Sequence, residues 1–101
     1  MCYTKPLYYW NKNVKNKKKN LSQEVIESYA KVLKPLVKHS GELNSYGYVL
    51  MAAKNYTEAV NIFKINCAMY PNVANVFDSL GEAYFNLNDK ENAILMYNKV
   101  L

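Results

Sequence analysis

Residues 70–85 read YPNVANVFDSLGEAYF. Phe77, Leu80, Gly81 and Tyr84 fall on one side of a helix by their three- and four-residue spacing. A small residue on that side lets a second helix approach closely. Pro71 and Asn72 mark a break before the helix, and Asn72 is a candidate N-cap. The stretch holds no cluster of catalytic residue types, so its content is architectural.

The same pattern stands 34 residues upstream. Leu43, Tyr46, Gly47 and Leu50 match Phe77, Leu80, Gly81 and Tyr84 in order. Ala59 returns as Ala93, Phe63 as Tyr97 and Asn55 as Asp89. Each pair keeps its character: small with small, large apolar or aromatic with the like. A fixed period of this length marks a helical repeat. The second helix of each unit is expected to begin at Asn55 or Asp89, both natural N-caps. Glu58 is expected to reach back to the Asn55 amide as a capping box. Ala59, Phe63 and either Asn66 or Cys67 then face the first helix of the unit.

These residues resemble the tetratricopeptide repeat: Leu-Gly-x-x-Tyr at residues 80–84, the small Ala93, the aromatic Tyr97, and Pro71 at the boundary. Two repeats are covered, residues 40–72 and 73–101. The chain departs from the pattern at three places. Leu43 or Phe77 replaces the usual Trp-like residue, Lys54 or Asn88 replaces the turn Gly, and Asn66 stands where a small residue is common. The resemblance implies an all-α fold, a short solenoid of antiparallel helix pairs. Residues 21–39 supply a leading helix, expected as a half-repeat because Val25, Tyr29 and Leu33 precede Ala59, Phe63 and Cys67 by the same period. That helix is amphipathic, opens at a Ser22 cap and ends before Pro35. Residues 70–94 also resemble the repeat tails that follow serine-hydrolase domains, β-lactamase-like or esterase-like, in bacterial proteins. That likeness implies an accessory tail separated from its catalytic domain, and imports no active site.

The net charge of +5 is unevenly placed. Residues 1–20 carry six Lys and no acid, whereas residues 21–101 carry seven Lys against eight acids. The basic character therefore belongs to residues 1–20, read as a disordered arm or the remnant of a preceding domain. No Arg occurs, so bidentate forks for phosphate or guanine are lacking. The run NKNVKNKKKN, with Tyr8, Tyr9 and Trp10 nearby, offers phosphate attraction and stacking. A short Lys/Asn run more often serves as a solvated linker, so nucleic-acid binding ranks low. Cys2 and Cys67 show no pairing logic and read as free thiols. No apolar run approaches the ~20 residues of a membrane span. The start, MCYTKPLYYWNKN, lacks the continuous apolar core of a signal peptide. A cytoplasmic protein is the default expectation, or a periplasmic one for a detached tail of an exported hydrolase.

Three short motifs of penicillin-recognising hydrolases occur: Ser28-x-x-Lys31, Tyr9-x-Asn11 and His39-x-Gly41. Their order is wrong, and that fold needs a far longer chain to join them. His39 is the sole His, so a His-based metal site or triad has no partners. No Gly-rich phosphate loop is present, and no cofactor, metal or catalytic residue is expected.

An interaction surface fits the pattern better. In stacked helix pairs the first helix of each repeat lines a groove. Helical geometry puts Asn44, Tyr48 and Met51 there from the first repeat, and Asp78, Glu82 and Phe85 from the second. The chaperone-binding version of the repeat clamps a carboxylate terminus with Lys and Asn. Asp78 and Glu82 stand here instead, so a neutral or basic peptide, or the face of an adjacent hydrolase domain, is the expected partner. The last helix is further expected to offer a surface for self-association.

Overall fold

A computed structural model describes residues 5–100, and every regular element in them is helical. The order is α1 (Lys5–Asn13), α2 (Gln23–Leu33), a 3₁₀ turn (Lys34–Leu36), α3 (Gly41–Ala52), α4 (Tyr56–Met69), α5 (Ala74–Asn86) and α6 (Lys90–Val100). No strand occurs among the described residues. The principal packing joins α3 to α4, α5 to α6, α4 to α5, and α2 to α4.

The turns inside the two hairpins are built alike. Asn55 N–H donates to the Leu50 carbonyl (2.8 Å) and Lys54 N–H to that of Met51 (2.9 Å). One period later, Asp89 N–H donates to Tyr84 (2.9 Å) and Asn88 N–H to Phe85 (3.0 Å). This pair of bonds is a Schellman closure, which needs a left-handed residue just past the helix. Lys54 (φ 65°) and Asn88 (φ 62°) supply it, in the places where a glycine would carry no Cβ penalty.

The glycine seats match as well. A Cβ on Gly47 would lie 2.2 Å from Phe63 Cε1, and one on Gly81 would lie 2.7 Å from Tyr97 Cε1. In each hairpin the aromatic ring of the second helix therefore rests on the bare backbone of the first. Phe63 is fully buried, while Tyr97 keeps partial exposure because nothing in the described chain covers α6 on the outside.

Helix α4 is the centre of the molecule. Ala59, Val60, Ile62, Phe63, Ile65, Cys67 and Met69 are all buried, so the helix is enclosed on nearly every side. Phe63 meets α3, and the Cys67 thiol reaches the Val76 carbonyl of α5 (3.5 Å). The remaining side is covered by α2 and the segment before it. Asn61, also buried, donates through Nδ2 to the Lys17 (2.8 Å) and Lys19 (2.6 Å) carbonyls and accepts from Leu21 N–H (3.3 Å).

Several local expectations give way to tertiary contacts. Residues 5–14 do not form a disordered arm, although Tyr8 stays 56% exposed and most of residues 15–20 lie at the surface. Residues 5–13 are helical, and Trp10 is fully buried in the core of this chain, with its ring edge-on to Tyr29 at 6.0 Å. Residues 1–4 lie outside the described residues. Glu58 does not cap α4: its carboxylate accepts from Trp10 Nε1 at 2.8 Å, and Asn55 makes no side-chain capping bond. At α5 the N-cap is Val73, one residue beyond Asn72, also without a side-chain bond. Ser22 and Asp89 do cap, accepting from Val25 N–H and Asn92 N–H, each at 3.3 Å. Helix α2 leaves the 34-residue frame, because it packs on α4, whereas in the frame it would pack on α3 as α4 packs on α5.

Candidate interaction face

Helices α3 and α5 run side by side, and the seam between them is polar and specific. Ser79 Oγ donates to Asn44 Oδ1 at 2.5 Å. Asn86 Nδ2 approaches Met51 Sδ at 3.9 Å. Tyr48 stands between these contacts, its ring edge-on to Phe63 at 5.4 Å. Burial raises the pKa of the Tyr48 hydroxyl; a hydrogen bond with Ser79 works against this, while the carboxylates of Glu82 and Asp78 add to it.

The six residues expected to line one groove therefore divide into two sets. Asn44, Tyr48 and Met51 receive α5 and have their inner sides occupied by it. Asp78, Glu82 and Phe85, their equivalents one period on, are exposed, Phe85 by 57%. Burial and then the charges of Asp78 and Glu82 also raise the pKa of Tyr97 on α6. Two carboxylates thus stand between two tyrosines, with Phe85 one turn further along α5. The four main clefts, of about 200 to 470 Å³, lie elsewhere and include none of Tyr48, Asp78, Glu82 or Phe85. Asp78, Glu82 and Phe85 therefore stand on open surface and not in a cleft.

Two features elsewhere in the molecule were not visible from local pattern. The first is the Trp10–Glu58 pair. The Tyr46 hydroxyl joins it, 3.5 Å from Glu58 Oε2 and 3.4 Å from Asn11 Oδ1. A lone Trp needs an acceptor when buried, and an acid at an inward helical position needs a donor; that mutual need was the available signal. The second is Asn66, whose Nδ2 donates to the Ser40 carbonyl (2.9 Å) and ties the start of α3 to α4. Its Oδ1 is the buried side-chain oxygen without a partner among the described residues.

Ser28, Asn11 and His39 of the hydrolase-like motifs each bond to nearby backbone. Ser28 Oγ donates to the Val25 carbonyl in its own helix (2.8 Å). Asn11 Nδ2 donates to the Leu7 carbonyl (3.0 Å), and His39 Nδ1 accepts from Gly41 N–H (3.1 Å). Burial pushes the Cys67 thiol up to about 12, against a smaller downward pull from the Lys99 charge. No group of three or more His, Cys, Asp or Glu among the described residues is placed to hold a metal ion. No described helix is long and apolar enough to cross a membrane. No family model, curated protein or solved structure matches the chain.

Proposed function

We propose that the chain is a protein-interaction module of the tetratricopeptide kind, without catalysis of its own. Its working surface is the exposed face of α5, Asp78, Glu82 and Phe85, with Tyr48 at its edge. The observation that carries this reading is the repetition of the hairpin turn and the glycine seat at one interval, which sets α5 beside α3 with its polar and aromatic side outward. Two carboxylates beside exposed aromatic surface favour a polypeptide with a Lys or Arg flanked by apolar residues. Coulombic steering supplies the on-rate and Phe85 the apolar anchor.

The test is peptide binding by fluorescence anisotropy on the full chain, with basic, neutral and acidic peptides of equal length. Basic peptides should bind best and weaken as salt is raised. Glu82→Lys should reduce their affinity at least tenfold, since it both removes an attraction and adds a repulsion. Equal affinity for acidic and basic peptides, or an unchanged Glu82→Lys variant, refutes this face as the binding surface.

A further inference from the structure

The chain makes one internal contact whose two halves are each displayed a second time on its surface. Within the molecule, α5 inserts Ser79 and Ala83, 1% and 0% exposed, beside the α3 set Asn44, Tyr48 and Met51. One period earlier, the residues equivalent to the inserting pair are Ser45 and Val49. Both are exposed, Val49 by 62%, and Ala52 continues their stripe. One period later, the equivalents of the receiving set are Asp78, Glu82 and Phe85, also exposed. Behind them, Val60 of α4 is 1% exposed, whereas its counterpart Ile94 of α6 is 59% exposed.

We propose that the partner of this face is a second copy of the chain. The α3 stripe Ser45 and Val49 of one copy docks on Glu82, Phe85 and Ile94 of the next. This deepens the interaction-module reading and rests on it. Continuity with the α3–α5 seam supplies the geometry: a serine and an apolar residue one turn on, Ser79 and Ala83 or Ser45 and Val49, meet a tyrosine–methionine or a glutamate–phenylalanine edge. Charge supplies the direction. The receiving end carries Asp78 and Glu82. At the inserting end, Asn11 lies 3.4 Å from the Tyr46 hydroxyl of α3, and the lysine-rich segment 12–19 runs on from it past the α3–α4 turn to Asn61 of α4. Residues 1–20 hold six Lys and no acid, so the two ends attract each other and like ends repel. Because the halves lie on different parts of the surface, the contact is heterologous and adds copies head to tail.

Sedimentation velocity of the full chain across a concentration series, at low and high salt, tests the proposal. The wild type should grow past a dimer with concentration and shrink with salt. Val49→Asp and Phe85→Asp replace exposed residues and should leave helicity by circular dichroism unchanged. Each should weaken self-association at least tenfold. Mixed together, they should form a one-to-one complex that stops at two copies, since each supplies the half the other lacks. A wild type that stays monomeric at every concentration overturns the proposal, as does a dimer indifferent to Val49→Asp or a mixture that does not pair. A monomer that still binds basic peptides through Glu82 removes the second copy as partner and leaves the module reading standing; a chain that does neither removes both.

Discussion

Gly47→Ala sets a helix-propensity gain against a steric loss. Alanine in a helix interior favours the helix by about 1 kcal/mol over glycine. Against it, the new Cβ would sit 2.2, 2.4 and 2.8 Å from three atoms of the Phe63 ring, where ordinary contact begins near 3.4 Å. The ring would have to retreat by about 1 Å. It has no free surface, and Tyr48 leans on it edge-on. Overpacking a closed site costs about 1–3 kcal/mol, and a displacement this large belongs at the upper end. The net expectation is a loss of about 2 kcal/mol, or a fall in Tm of about 8–16 °C for a domain of this size. Gly81→Ala meets Tyr97 at 2.7 Å, but that ring is partly exposed and can swing outward. Its net effect should stay within about 1 kcal/mol of zero. Urea and thermal unfolding followed by circular dichroism measure both. Gly47→Ala as stable as the wild type, following propensity alone, would refute the seat.

Three further outcomes follow from the same contacts. Trp10→Phe removes the donor to the buried Glu58 carboxylate and should cost about 2–3 kcal/mol in urea unfolding; a loss under about 0.5 kcal/mol would show that residues 5–13 do not pack on α4. Lys54→Gly relieves a left-handed residue with a Cβ and should stabilise by up to about 1 kcal/mol, more than Asn88→Gly, because Asn adopts that conformation more readily; a destabilised Lys54→Gly would contradict the turn geometry. Burial raises Cys67 from 9.0 to about 12 and Tyr84 from 10.0 to about 12, so the unfolded chain releases these protons first. Stability is therefore full below about pH 9 and falls above it by up to about 1.4 kcal/mol per pH unit for each group, more steeply once Tyr84 joins. Urea midpoints at rising pH should show this slope, and Cys67→Ala should flatten its first part; identical slopes would disprove the burial of the thiol.

The helical class was legible because it is written in spacing. Leu-Gly-x-x-Tyr, the paired glycines and the aromatic sixteen residues after each glycine are local facts that repeat in one frame. What stayed hidden depends on contacts between distant residues. Residues 1–20 look like a solvated arm by charge, yet one Trp finds an acceptor 48 residues away and the Asn61 amide holds the backbone at Lys17 and Lys19. Glu58 fits a capping box by position, but the deeper contact with Trp10 takes its carboxylate. Helix α2 carries the right residues for the repeat frame and leaves it to pack on α4. At the interaction face, periodicity located six residues on one side of two helices. It did not separate those that hold α5 from those left open, since that division depends on which helix packs against each side.

The central claim is that residues 34 apart hold equivalent seats in two hairpins. The chain has three glycines, so labelling glycine alone with carbon-13 gives a spectrum simple enough to assign. Nuclear Overhauser contacts from the α-protons then report what rests on each backbone. Gly47 should contact the Phe63 ring and Gly81 the Tyr97 ring, both with upfield ring-current shifts. Aromatic contacts at only one of these two glycines, or at neither, would contradict the claim.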